Sequence, residues 1–93
     1  FTMAHLFMLG KIALTQGVNK LVNGDHSLLH PFLMLHVKGQ WGDLSEDDKQ
    51  ANDEALNQTG GRLLSAYNLP QGKIWIVTEA DRSSSTVLLP SEY

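Results

Sequence analysis

Three charged side chains crowd one short turn late in the chain, Glu79, Asp81 and Arg82, with Thr78 and Ser83 beside them. Carboxylates this close can hold a divalent cation or divide the work of acid and base, and a neighbouring arginine can stabilise a developing anion. The same residues also make a self-supporting turn, with Asp81 accepting backbone N–H groups and an acidic side chain pairing with Arg82. The structural role is the simpler expectation.

The histidines are the second chemical candidate. His26 and His30 have the His-x3-His spacing that can ligate zinc from one helical face. Pro31 interrupts a helix directly after His30, no third ligand stands at a fitting distance, and the glutamate of zinc proteases is missing, so no metal site is expected. His36 lies in a largely apolar run and reads as a packed histidine with its ring nitrogens satisfied internally. In a base role it would stand beside Asp43 or Asp81. The third candidate is Trp41-Gly42-Asp43, either an exposed binding anchor or a plug between two helices, with Asp43 bonding Asn52 or backbone amides. The plug is favoured by the usual burial of tryptophan. Ser83, Ser84 and Ser85 lack a nucleophile elbow, and Gly60-Gly61 follow a helix instead of opening one, so no phosphate cradle is present.

The elements that must position these residues follow from the pattern. Residues 7–14 suggest a strand with a bulge or bend at Gly10. Thr15 is a good N-cap for a helix with Val18, Leu21 and Val22 on one face, and Asn23-Gly24-Asp25 ends it. A second, mostly apolar helix spans about 31–38, with Pro31 at its start and Gly39 as a left-handed cap. Ser45 caps a third, with Glu46, Asp47 and Asp48 in its first turn, where the helix dipole favours negative charge. That helix runs to about 57 with Ala51, Asn52, Ala55 and Leu56 inward, and Thr59-Gly60-Gly61 stops it.

Strands are expected at 62–68, 73–79 and 85–89, the first two joined by a hairpin at Leu69-Pro70-Gln71-Gly72. Alternation puts Ile74, Ile76 and Thr78 on one face of the second strand and Trp75, Val77 and Glu79 on the other, as suits a central strand. The loops between these strands are too short for parallel crossovers. The order β-α-α-α-β-β-β therefore specifies a single α+β domain over residues 1–93. Three helices pack on one face of a small, mainly antiparallel sheet of three to four strands.

Composition bounds the function. The 93 residues allow one modest core. There are no cysteines, which excludes disulfides, thiolate metal sites and a cysteine nucleophile, and fits a reducing, cytoplasmic setting. The net charge is −3, and the seven Lys and Arg form no stripe, so direct nucleic-acid binding is not expected. No apolar run approaches the ~20 residues of a membrane span, and no basic region precedes the apolar start as in a signal peptide. Nothing points to a cofactor.

Beyond these physical readings, several strings act as a family marker: Gln40-Trp-Gly-Asp-Leu44, Asp48, Asn52, Gly61-Arg-Leu-Leu-Ser-Ala-Tyr67, Trp75-Ile-Val-Thr-Glu-Ala-Asp-Arg-Ser83 and Thr86-Val-Leu-Leu-Pro-Ser-Glu-Tyr93. Over about residues 36–93 the chain resembles a family of small bacterial proteins of plasmids and other mobile elements. Some members carry the label "type I restriction endonuclease subunit M" or "plasmid-related protein". A methyltransferase subunit needs a far longer cofactor fold with a Gly-rich loop after a strand, which this chain lacks. The resemblance implies a mobile-element context and no particular biochemistry.

The resulting expectation is a non-enzymatic accessory protein that binds a host or mobile-element protein, as an inhibitor of a defence system such as restriction or CRISPR would. Its binding residues would be Trp41, Asp43, Asn52, Glu79, Asp81, Arg82 and Tyr93, gathered in space. The alternative is a small hydrolase or metal-dependent enzyme using Glu79, Asp81 and His36. A homodimer through an edge strand is also consistent with a small open sheet.

Overall fold

A computed structural model describes residues 5–93. Among these, a strand β1 (Lys11–Leu14) leads into helix α1 (Gln16–Leu21), a 3-10 turn (His26–Leu29), helix α2 (His30–Val37) and helix α3 (Glu46–Glu54). A π-type turn (Ala55–Thr59) follows, then strands β2 (Leu63–Leu69), β3 (Gly72–Thr78) and β4 (Ser84–Leu88), and a final 3-10 turn (Pro90–Glu92). This is the expected α+β order.

The helix boundaries have the expected chemical causes. Thr15 caps α1 by accepting from the Val18 N–H, and Ser45 caps α3 by accepting from the Asp48 N–H. Helix α2 ends in a Schellman arrangement: the Gly39 N–H reaches the His36 carbonyl, the Gln40 N–H reaches the Leu35 carbonyl, and Gly39 has φ +78°. Helix α3 gives way to the π-type turn after Glu54, three residues before the expected end at about 57. There the Asn57 side-chain amide donates to the Asp53 carbonyl and the Gly60 N–H closes on Ala55.

The sheet order is β1-β4-β3-β2. The hairpin β2–β3 and the pair β3–β4 are antiparallel, while β1 lies parallel to β4 at the edge. Everything between β1 and β4 serves as the crossover that a parallel pair requires. The first strand is shorter than the expected 7–14, because the chain bends at Gly10. A β-carbon at Gly10 would strike the Ser83 carbonyl and the Arg82 oxygen. Residues 5–9 instead run beside α2, where the Leu6 N–H bonds the Val37 carbonyl.

Alternation sorts the sheet into two faces. Ile74 and Ile76 on β3, Tyr67 and Leu69 on β2, and Val87 on β4 meet Val18, Val22, Leu29 and Leu33 of the helical layer in one core. A second, smaller cluster of Trp41, Ala55 and Leu63, with Phe7, Leu44 and Leu56 against it, fills the end nearest α3. Ser65, Thr78 and Ser85 share the inner face with these apolar residues and are fully buried.

Candidate functional site

At the edge of β2, alternate backbone groups point away from β3 and need partners, because an unmet buried amide costs roughly 1–3 kcal/mol. The loop after α2 supplies them. The Ala66 N–H donates to the Trp41 carbonyl at 3.0 Å and the Asp43 N–H donates to the Ala66 carbonyl at 2.7 Å. One turn further on, the Asn52 side chain donates to the Leu64 carbonyl at 2.7 Å and accepts from its N–H at 3.0 Å. Gly42 has φ +80°, and a β-carbon there would collide with the Ala66 carbonyl and the Tyr67 ring. Trp41, Asp43 and Asn52 therefore act together to close one edge of the sheet.

Trp41 is the plug of the two roles weighed for it. It is 4% exposed, and its indole N–H donates to the Asp53 carboxylate at 3.1 Å. Asp43 keeps its carboxylate outside, where Asn68 and Lys73 donate to it and hold its pKa below the ordinary value.

His36 lies under this edge, fully buried, edge-on to the rings of both Phe7 and Trp41. Its Nε2 is 2.8 Å from the Thr78 hydroxyl, and its Nδ1 bonds the Ser65 hydroxyl. Thr78 continues to the Ser85 hydroxyl at 2.7 Å, and Ser85 donates to the Leu9 carbonyl at 2.8 Å. Because the chain ends on a carbonyl, which only accepts, its direction is set. Ser85 donates to Leu9, Thr78 donates to Ser85, and His36 donates from Nε2 to Thr78. Burial keeps the ring neutral, so with the proton on Nε2 the Nδ1 atom accepts from Ser65. Burial, aided by the nearby Arg82 charge, pulls the pKa of His36 down to about 4. A ring with both nitrogens engaged and no exposed surface offers no base to a substrate.

The polar turn between β3 and β4 is likewise occupied with its own geometry. Asp81 accepts the Ser83 N–H at 3.0 Å, and the Ser83 side chain and backbone together lower its pKa. Arg82, at φ +60°, donates from one guanidinium nitrogen to the carbonyls of Gly61 (2.7 Å), Glu79 (3.0 Å) and Ala80 (3.1 Å). The expected acid–arginine pair forms with a different arginine: Glu79 pairs with Arg62 at 3.2 Å. Arg82 also stands over the Phe7 ring, 5.9 Å from its centre, and Phe7 in turn stacks on Trp41 at 6.3 Å.

Phe7 thus links two of the expected groups, the β2-edge set and the β3–β4 turn. Tyr93 belongs to neither. It packs edge-on against Trp75 at 5.3 Å and is 68% exposed. Glu92 beside it accepts from the Thr15 hydroxyl at 2.6 Å and from the Leu89 N–H at 2.8 Å, which lowers its pKa and ties the final turn to the start of α1.

Among the described residues no group of three or more His, Asp or Glu side chains is placed to hold a metal ion. His26 sits in the 3-10 turn, bonded to Asn19 at 2.7 Å, while His30 opens α2. A cleft of about 380 Å³ is lined by His5, Phe7, Met8, Leu9, Met34 and Val37, and another of about 340 Å³ by Leu35, Gln40, Trp41, Lys49 and Tyr67. Neither includes Glu79, Asp81 or Arg82 in its walls.

Sequence reasoning did not single out Ser65, Phe7 or Asp53, and it weighed Ser85 only as a nucleophile. The buried roles of Ser65 and Ser85 were the most legible of these, because a hydroxyl at an inward position of a strand must find a buried partner. No protein-family model matches the chain, and neither does any curated protein or solved structure.

Proposed function

We propose that this chain acts by binding another protein, as a small accessory protein of a mobile genetic element, and that its target belongs to a host defence system of the restriction or CRISPR type. The mobile-element context rests on the resemblance of residues 36–93. Binding, as opposed to catalysis, is supported by how the reactive side chains are used. His36, Asn52 and Trp41 are buried and bonded, and Arg82 and Asp81 hold their own turn.

The observation that carries the reading is Tyr93, which stands largely exposed against Trp75 on the sheet face turned away from the helices. Aromatic side chains anchored on a rigid element are favoured as interface hot spots.

The test uses a tagged chain as bait in a bacterium with an active restriction or CRISPR system, beside a Tyr93→Ala variant of equal thermal stability. A subunit of the defence system should be captured by the wild type and lost with the variant. Expression of the wild type should also raise the efficiency with which unmodified plasmid enters that host. Capture of no defence subunit together with unchanged plasmid entry would end the proposal.

A further inference from the structure

The two edges of the sheet are treated differently. β2 is closed by Trp41–Asp43 and Asn52, whereas among the described residues β1 pairs with β4 alone. The Lys11 N–H and the Thr15 N–H both run toward β4, to the carbonyls of Ser83, just before that strand, and Val87 within it. Alternation then turns the N–H and C=O of Ile12 and Leu14 outward, away from β4. Ile12 lies on the helix-side face, in register with Ser85, and yet is 48% exposed. Helix α1, which follows, packs over β4 and so leans away from this edge.

We infer that β1 pairs antiparallel with β1 of a second copy, with the two-fold axis at Ala13. The edge is self-complementary in this register. Ile12 faces Leu14 of the other copy as a hydrogen-bonded pair, twice over, giving four backbone bonds. Ala13 meets Ala13 as the close, non-hydrogen-bonded pair, where a small side chain fits. Exposed Ile12 gains an apolar neighbour. Lys11, a residue type that often protects edges, lies opposite Thr15 and not opposite its own copy, so no like charges oppose each other. The isologous contact joins two four-stranded sheets into one of eight strands. A four-residue strand buries less than a standard stable interface, so the dimer is weak and depends on concentration.

The chain has no cysteine, so an introduced thiol reports one contact. Ala13→Cys should oxidise to a disulfide dimer faster than either Lys11→Cys, displaced from its copy in this register, or Gln71→Cys, exposed in the β2–β3 turn. Sedimentation equilibrium of the wild type should show a monomer–dimer equilibrium, lost in Ile12→Pro, which removes an outward N–H without touching the β4 ladder, and in Ile12→Lys. Both variants should keep the wild-type circular dichroism. A wild type that stays monomeric up to millimolar concentration, or an Ala13→Cys that oxidises no faster than the two controls, would overturn the inference.

Discussion

The imidazole of His36 donates to the Thr78 hydroxyl at 2.8 Å, joining α2 to β3 across 42 residues of sequence. This bond is the middle link of a buried chain from Ser65 to the Leu9 carbonyl, and the link from Ser65 to Nδ1 requires a neutral ring, because a protonated Nδ1 cannot accept.

Stability should therefore fall on mild acidification. The unfolded chain binds a proton on this histidine near 6.5, while the folded chain resists until about 4. Between those values the unfolded state holds more protons, so acid favours unfolding. The contribution of His36 is complete above pH 6.5, is lost as pH falls toward 4, and is constant below that. Its size is about 3 kcal/mol. Urea midpoints measured across this window should drop for the wild type. They should stay nearly flat in His36→Gln, which at pH 7 is less stable by about 1–3 kcal/mol.

Arg82→Ala removes three carbonyl contacts and a positive charge that lowers the pKa of His36. The variant should lose about 1–3 kcal/mol, since hydrogen bonds from a charged donor are the stronger kind. Nuclear magnetic resonance titration should show its His36 protonating at higher pH than in the wild type. An unchanged titration would mean that burial alone sets the value.

Asn52→Leu keeps the volume and removes both bonds to Leu64. The Leu64 N–H and C=O are then left without partners beneath α3, at a cost of roughly 2–4 kcal/mol. Hydrogen exchange should localise the damage: the Leu64 amide should lose protection before the amides of β3 that face β4.

Gly42→Ala should be the most damaging glycine substitution in the β2-edge loop. It adds the left-handed penalty of roughly 1–2 kcal/mol to a collision with the Ala66 carbonyl, which is backbone and cannot step aside. A loss of at least 2 kcal/mol in chemical denaturation is expected. Loss of protection at Ala66 should accompany it, because the Trp41–Asp43 segment must lift from β2.

Much of the architecture is local chemistry and was readable from the chain. Thr15 and Ser45 cap because a short hydroxyl side chain meets the first free N–H groups of a helix. Ile74, Ile76 and Thr78 share a face because side chains alternate along a strand. The short loops among the last three strands leave only antiparallel pairing. These features depend on neighbours within a few residues.

The rest depended on residues far apart in sequence. Which edge β1 would join, and that it would lie parallel to β4, needed the whole helical layer to be placed first. That Trp41, Asp43 and Asn52 would close one edge of β2 required knowing that β2 is an edge. That Glu79 would take Arg62 and leave Arg82 to the carbonyls of Gly61, Glu79 and Ala80 was a choice among equally plausible charge pairs. The neutrality of His36 followed only once its burial was in place, and its tautomer only once the one-way chain of hydroxyls ran to Leu9. Sequence by itself determines the elements, because propensity, capping and alternation act along the chain. Tertiary structure alone decides which polar groups meet, because a buried donor selects its acceptor through space.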